Sequence, residues 1–279
     1  MGKKQEEKLE ALKSNFERSA TEQYIQVNDG NQLRVLSFIR EEQTVNKIEV
    51  MFIPGLLTIF PRWEKVVKEL NKHYTVHYIE SREKISSKLL KRASLDLRKI
   101  WKDLSNIEKT LGLDKKRYIT ISSSMGGSMI IENLATNELS PIGSILIGPG
   151  VEVHFPKWVP IFLHVFPAFG MRMLKPLIRW YLRTFTVDTK KEPKQAKQYT
   201  RSVNEADMPK LRKWIIKNAN KYNGWHLLPK IEDRIILIAA STDKVHKSDF
   251  SAKVSEALSN CTLLISEPMK QLMTLLSLN

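Results

Sequence analysis

The apolar and polar positions divide the chain into short apolar runs and longer segments with helical spacing. Apolar runs of strand length occupy 48–53, 74–80, 118–122, 142–147, 234–240 and 261–266. Segments with helical spacing lie at 62–70, 87–111, 125–137, 248–259 and 269–278. Strands that alternate with helices predict an α/β fold, a mostly parallel central sheet with helices on both faces.

A hairpin is predicted ahead of this alternation. Runs at 24–27 and 33–38 flank the turn Asn28-Asp29-Gly30-Asn31, and an Asp-Gly pair favours the positive φ that hairpin turns need. Residues 4–18 carry alternating charges at helical spacing, which predicts a charged N-terminal helix within 1–20.

The alternation stops between residues 151 and 230 and then resumes. We therefore expect the core of the fold to consist of 21–150 and 231–279, with 151–230 as a helical insertion after the sixth strand. The net charge is +15, and this insertion holds 16 Lys and Arg against 5 Asp and Glu, so it carries +11 of the total. It also holds four of the six tryptophans.

The basic residues of the insertion have nearly helical spacing. Arg172, Lys175, Arg179 and Arg183 would form one stripe, opposite Met173, Leu174, Leu177 and Tyr181. A basic helix with aromatic residues suits peripheral contact with an anionic membrane surface. The alternative is a helix that packs its apolar face over a pocket and exposes its basic face to water. Nucleic-acid binding is not expected, because no recognised module accompanies the charge.

Composition indicates the compartment. The single cysteine, Cys261, excludes a disulfide framework and a cysteine-based metal site, as expected in a reducing environment. The N-terminal segment lacks the apolar core of a signal peptide. We expect a cytoplasmic protein, with at most peripheral membrane contact, and no bound metal.

The stretch ITISSSMGGSMI at 119–130 is a candidate catalytic motif. Ser122-Ser123-Ser124-Met125-Gly126 fits the pattern small-x-Ser-x-Gly, which places a serine on a strained turn between a strand and a helix. Ser124 could be a nucleophile there, or it could only cap the following helix.

A second loop strengthens the catalytic interpretation. Pro54-Gly55-Leu56-Leu57 follows the first interior strand, where the backbone N–H of Leu56 could stabilise an oxyanion together with that of Met125. The other interpretation is an ordinary strand-ending Pro-Gly.

These features together resemble the α/β-hydrolase family, in particular its lipase- and esterase-like members with helical lids. The resemblance covers about 24–278 and implies that 151–230 is a lid, that Ser124 is the nucleophile and that no cofactor is required. Asp243, which follows the run 235–240, matches the position of the family's catalytic acid. The implied substrate is a carboxylic ester or lipid-like molecule with an apolar acyl chain.

The sequence departs from the family at the catalytic base. The run 261–266 leads directly into Glu267-Pro268, and no histidine follows His246. His246 lies three residues after Asp243, which makes it a weak candidate base, and His154 and His226 of the insertion are weaker ones. Two functions stay open: an esterase-like serine hydrolase, or a catalytically impaired or non-catalytic protein (a degenerate hydrolase, or a chain altered near its C-terminus) that binds lipid or a partner through its basic lid. The base, the substrate and the oligomeric state are not fixed by this pattern.

Overall fold

An eight-stranded sheet organises the chain. The computed structural model describes residues 10, 13–40, 48–166, 205–240 and 248–266, with positions 170, 173, 175, 176, 180, 202 and 203. The strands lie in the order β1-β2-β4-β3-β5-β6-β7-β8. They are β1 Thr21–Gln26, β2 Gln32–Phe38, β3 Ile48–Ile53, β4 Thr75–Ile79, β5 Arg117–Ser123, β6 Ser144–Ile147, β7 Ile235–Ala240 and β8 Cys261–Ser266. β2 pairs antiparallel with β1 and β4, and every later pair is parallel.

Helices cover both faces of this sheet, as the sequence predicts. They are α1 Asn15–Arg18, α2 Phe60–Asn71, α3 Leu97–Ile100, α4 Asp103–Leu111, α5 Met125–Ala135, α6 Trp158–Val165, α7 Met208–Asn218 and α8 Ser248–Ala257, with 3-10 turns at Leu113–Lys115 and Trp225–Lys230. The apolar side of α2 packs on one face against Phe52 and Tyr78, and α3 to α5 pack on the other against Met51 and Ile53. Alternate residues of one strand thus enter opposite cores.

The prediction of a single long helix over 87–111 is wrong. Irregular chain extends to Asp96, whose side chain accepts the N–H of Arg98 and begins α3, and α4 starts only at Asp103. Lys88 forms a two-way backbone bridge with Gln32, 2.9 Å in each direction, which holds it in an extended conformation. The buried Arg82 also binds Asp103, with N–O distances of 2.6 Å. Contacts with distant residues therefore override the local helical spacing.

Within 151–230 the structure describes α6, α7 and the 3-10 turn at Trp225–Lys230, together with irregular chain in which Glu152 forms an isolated bridge with Asn223. Arg172, Arg179 and Arg183 of the predicted basic stripe lie outside the described residues, as does the predicted helix at 269–278, whereas Lys175 donates to the Ala206 carbonyl at 3.3 Å. No described helix is both long enough and apolar enough to cross a bilayer. The domain limits 1–20, 21–150, 151–230 and 231–279 stay predictions.

Candidate active site

Ser124 occupies a strained turn at the carboxyl end of β5. Its backbone has φ 46° and ψ −115°, between the last residue of β5 and the first residue of α5. A non-glycine residue in such a conformation costs about 1–3 kcal/mol and persists only where the surrounding structure imposes it. Ser124 N donates to the Ile147 carbonyl at 3.1 Å, and its own carbonyl accepts from Gly150 N at 2.9 Å. The end of β6 and the loop after it thus bind both the N–H and the carbonyl of Ser124.

The two glycines after Met125 are required by close packing. A Cβ at Gly126 would lie 2.3 Å from the Ile53 carbonyl oxygen, and one at Gly127 would lie 2.7 Å from Pro149 Cβ. Neither position has room for a side chain, because β3 and the β6 loop press against the start of α5. The Gly-Gly pair therefore lets the helix begin directly at the end of the strand, so the serine before it is left on the sharp turn.

The loop after β3 lies against the serine turn. Gly55 N donates to Ser123 Oγ at 3.0 Å, and a Cβ at Gly55 would lie 3.1 Å from Ser124 Cβ. Thr58 N donates to the Gly55 carbonyl at 3.2 Å and closes a four-residue turn, in which Leu57 has a φ of 57°. Type II turns normally place glycine at this third position. The loop is thus a second strained segment beside Ser124.

Leu56 follows Gly55 in the loop that contacts Ser124, and Met125 directly follows Ser124. Neither N–H donates a hydrogen bond to any described residue. Met125 is the first residue of α5, where the helix leaves N–H groups free and concentrates positive dipole charge. Both N–H groups that the sequence predicts as oxyanion donors thus have no acceptor within the described chain, and their catalytic role stays a prediction.

Comparison with known proteins rests on structure alone. No protein-family model matches the sequence, and no curated protein matches it either. A hydrolase from Pseudomonas aeruginosa PA01 superposes with a TM-score of 0.74 at 12% identity, over 92% of this chain and 97% of the other. The enol-lactonase from Burkholderia xenovorans LB400 gives 0.70 at 16% identity, over 87% and 90% of the two chains. A thermophilic esterase from Thermogutta terrifontis gives 0.69 at 14%, over 92% and 95%.

The chain has the α/β-hydrolase fold. The eight-stranded, mostly parallel sheet with its helices matches these solved structures and agrees with the resemblance that the sequence indicates. At identities of 12–16% the likeness establishes the fold, and chemistry must be argued from the site itself.

The acid and base expected for this fold are not among the described residues. Asp243 and His246 both lie outside them, so their roles stay predictions. Of the described histidines, His73, His154, His164 and His226 are exposed, and His154 pairs with Glu152 at 2.8 Å. No described side chain hydrogen-bonds to Ser124 Oγ. The structure therefore places the loop that carries Leu56 beside Ser124 and Met125, and a base is not found among the described residues; the catalytic roles of these residues stay predictions.

His77 forms a cluster that sequence reasoning missed. Its Nδ1 lies 2.8 Å from Ser37 Oγ, its Nε2 lies 2.7 Å from Glu49 Oε2, and Lys116 binds the other oxygen of Glu49 at 2.7 Å. Burial alone would raise the pKa of Glu49, but the hydrogen bonds from His77 and Lys116 hold that pKa below its ordinary value. The cluster joins three strands, so no local sequence signal marks it.

A buried lysine supports the loop after β3, and no sequence motif pointed to it either. Lys84 Nζ donates to the Gly55 carbonyl at 2.6 Å, while its side chain is 6% exposed. From α7, Lys210 Nζ binds the carbonyls of Lys84 and Ser87 at 2.7 and 2.8 Å, and burial lowers the pKa of Lys210. A chain of contacts thus runs from α7 to the loop beside Ser124.

Among the described residues, no group of three or more His, Cys, Asp or Glu side chains is arranged to hold a metal ion.

Proposed function

We propose that this protein is a serine hydrolase that cleaves carboxylic esters through an acyl-enzyme on Ser124. The observation that carries the proposal is the backbone of Ser124, a non-glycine residue at φ 46°. Strain of this kind is retained where function requires it. A helix cap does not need it, and Ser124 makes no side-chain capping hydrogen bond. This favours the nucleophile over the capping interpretation.

The proposed reaction follows from the groups around Ser124. A base removes the hydroxyl proton while Oγ attacks the ester carbonyl carbon, and the N–H groups of Leu56 and Met125 stabilise the oxyanion that forms. The intermediate collapses, the alcohol leaves with a proton, and water then hydrolyses the acyl-serine. In this scheme Asp243 orients the base, and His246 is the weak candidate for it. No cofactor is required.

The lid interpretation of 151–230 supports an apolar substrate. α6 exposes Trp158, Ile161 and Val165, which are 67%, 65% and 82% accessible, and the segment carries a charge of +11. We propose that the acyl chain is apolar and that this surface contacts anionic lipid at the periphery of a membrane. Vesicles with anionic headgroups should then retain the wild type more than neutral vesicles do, and Trp158→Ser should weaken that retention. Equal retention on both vesicle types would contradict the membrane proposal.

The test of the reaction compares two serines of the same motif. Ser124→Ala should abolish covalent labelling by a fluorophosphonate and the hydrolysis of p-nitrophenyl butyrate. Ser122→Ala is the matched control, since Ser122 is fully buried and its hydroxyl has no hydrogen-bond partner among the described residues. Labelling should persist in the control. Labelling that persists in Ser124→Ala would overturn the assignment.

A second candidate is a catalytically impaired or non-catalytic member of the fold that binds lipid or a partner through the same segment. It is favoured by the absence of any described side chain hydrogen-bonded to Ser124 Oγ. If this second candidate is correct, the wild type should bind vesicles without hydrolysing esters. Ester hydrolysis that disappears in Ser124→Ala would exclude it.

A further inference from the structure

We infer that Lys84 is a positioning residue for the oxyanion loop: its ammonium group holds the peptide between Gly55 and Leu56 so that the Leu56 N–H is directed at the site of Ser124. The inference deepens the proposed function and rests on it for its catalytic meaning. The contact that starts the argument is the hydrogen bond from Lys84 Nζ to the Gly55 carbonyl, 2.6 Å long.

The planar peptide between Gly55 and Leu56 transmits the effect of Lys84 from the carbonyl of Gly55 to the N–H of Leu56. The carbonyl of Gly55 and the N–H of Leu56 belong to the same planar trans peptide, so they point in opposite directions. An ammonium group that fixes the carbonyl on one side therefore fixes the N–H on the other. A positive charge on the carbonyl oxygen also polarises the unit, which makes its N–H a stronger donor.

The loop after β3 has a strained conformation that the contact with Lys84 can stabilise. Leu57 has a φ of 57°, a left-handed conformation that is sterically unfavourable for a leucine. The turn bond from Thr58 N to the Gly55 carbonyl is long, at 3.2 Å, whereas the Lys84 contact is short. On the other side, Gly55 N is held by Ser123 Oγ at 3.0 Å. Lys84 thus completes a clamp on both polar groups of Gly55.

Lys84 is itself built into the structure. Glu83 Oε1 lies 2.7 Å from Nζ and supplies an opposite charge, although neither Glu83 oxygen has hydrogen-bond geometry with a described residue. Lys210 holds the Lys84 carbonyl and both oxygens of Ser87, which fixes the backbone from which the lysine extends. Burial of the charged Lys84 side chain costs free energy, so we infer that its contact with the Gly55 carbonyl has a function.

Selective labelling can observe this one peptide directly. The sequence contains only two Gly–Leu pairs, Gly55–Leu56 and Gly112–Leu113. Protein labelled with 13C at glycine carbonyls and 15N at leucine amides therefore gives two carbonyl-to-amide correlations in an NMR experiment. Gly112 ends α4, away from the loop, and serves as an internal control.

Lys84→Met should shift or broaden the Gly55–Leu56 correlation and leave that of Gly112–Leu113 in place. Lys88→Met, an exposed lysine of the same segment, is the matched control and should move neither. A Gly55–Leu56 correlation unchanged in Lys84→Met would overturn the inference, because the turn would then hold its own shape. If the unpaired Glu83 prevents folding, the double variant Glu83→Gln/Lys84→Met removes both charges and is read by the same criterion.

Kinetics give the catalytic consequence. Lys84→Met should lower kcat for p-nitrophenyl butyrate about 10- to 100-fold with little change in KM, since the loss of a whole oxyanion donor costs roughly 100- to 1,000-fold. Unchanged kcat, or a loss confined to KM, would contradict a role in the transition state. If the wild type shows no Ser124-dependent hydrolysis, the proposed function falls, and the NMR result alone still decides whether Lys84 orients the peptide.

Discussion

Two serines of this protein stand in opposite situations. Ser37, His77 and Glu49 are the residue types of a catalytic triad. Ser37 Oγ lies 2.8 Å from His77 Nδ1, and His77 Nε2 lies 2.7 Å from Glu49 Oε2. Ser124 has no such partner in the described chain, yet it lies half-buried on a strained turn beside free amide groups. The first set is chemically complete and closed, whereas the second is accessible and incomplete.

The difference shows that residue types alone do not identify a nucleophile. Ser37, His77 and Glu49 are 2%, 4% and 7% exposed, and Ser37 pairs in register with His77 across two regular strands. Their hydrogen bonds satisfy one another, which is how a core tolerates polar groups. Around Ser124, by contrast, the chain holds an unfavourable backbone in place and leaves donors unused. We therefore propose that the cluster of Ser37, His77 and Glu49 stabilises the fold and that Ser124 is the residue that reacts.

The largest expected effect is on activity. Ser124→Ala should lower kcat/KM for p-nitrophenyl butyrate by about 1,000-fold or more, because the nucleophile is lost. Ser37→Ala, assayed at a temperature where it is folded, should stay within about twofold of the wild type, since Ser37 touches no part of the proposed site. Equal losses in the two variants would remove the distinction between the two serines.

The next effect concerns the packing that creates the turn. Gly126→Ala should reduce the free energy of unfolding by about 3 kcal/mol, because the new Cβ would meet the Ile53 carbonyl at 2.3 Å. Gly143→Ala is the control, with 3.3 Å to the nearest backbone oxygen, and should cost about 1 kcal/mol or less. Urea denaturation measures both. A Gly126→Ala variant no less stable than the control would argue against a tightly imposed turn.

The cluster of Ser37, His77 and Glu49 should make the free energy of unfolding depend on pH. Glu49→Gln should lower the free energy of unfolding by about 2 kcal/mol at neutral pH, since it weakens buried hydrogen bonds to a charged group. The folded pKa of Glu49 lies below its ordinary value of 4.5, so its contribution is present above that value and is lost as pH falls through the folded pKa. Denaturation of both proteins at several pH values should show the gap closing below about pH 4.

Exposed Glu138→Gln provides the control for that series and should be close to neutral throughout. A gap between wild type and Glu49→Gln that is independent of pH would mean that the charge of Glu49 does not stabilise the cluster.

The smallest effect has opposite signs at the two serines. Ser124→Gly should raise the free energy of unfolding by about 1 kcal/mol, because glycine adopts positive φ without strain. Ser37→Gly should lower it, since a strand residue is weakened and the His77 ring loses a partner. Thermal or urea unfolding would show both, with the more stable Ser124→Gly protein inactive. Destabilisation by Ser124→Gly would indicate that its backbone is not strained.

Much of the fold could be predicted from the sequence where the signal is local. The limits of β3 and β8 agree with the apolar runs at 48–53 and 261–266, and the turn at Ser124 follows from its small neighbours. These features depend on contacts within a few residues or on the burial of a continuous apolar run, and both leave a pattern in the chain.

The features that the sequence does not predict depend on contacts between residues that are distant in sequence. Lys88 is held extended by Gln32, Lys84 reaches Gly55 across 29 positions, and His77 reaches Ser37 across 40. A helical spacing at 87–111 carries no information about such partners, so it predicted one helix where two short ones occur. The same holds for the loop after β3, because no pattern in the sequence predicts the contact of Lys84 with the Gly55 carbonyl.

The most direct measurement is the position of a covalent label on the wild-type protein. Trypsin should release residues 118–157 as one peptide with Ser122, Ser123 and Ser124, and residues 35–40 as another with Ser37. After reaction with a fluorophosphonate, fragmentation mass spectrometry should place the adduct on Ser124. An adduct on Ser37, Ser122 or Ser123 instead, or no adduct on the folded protein, would contradict the account.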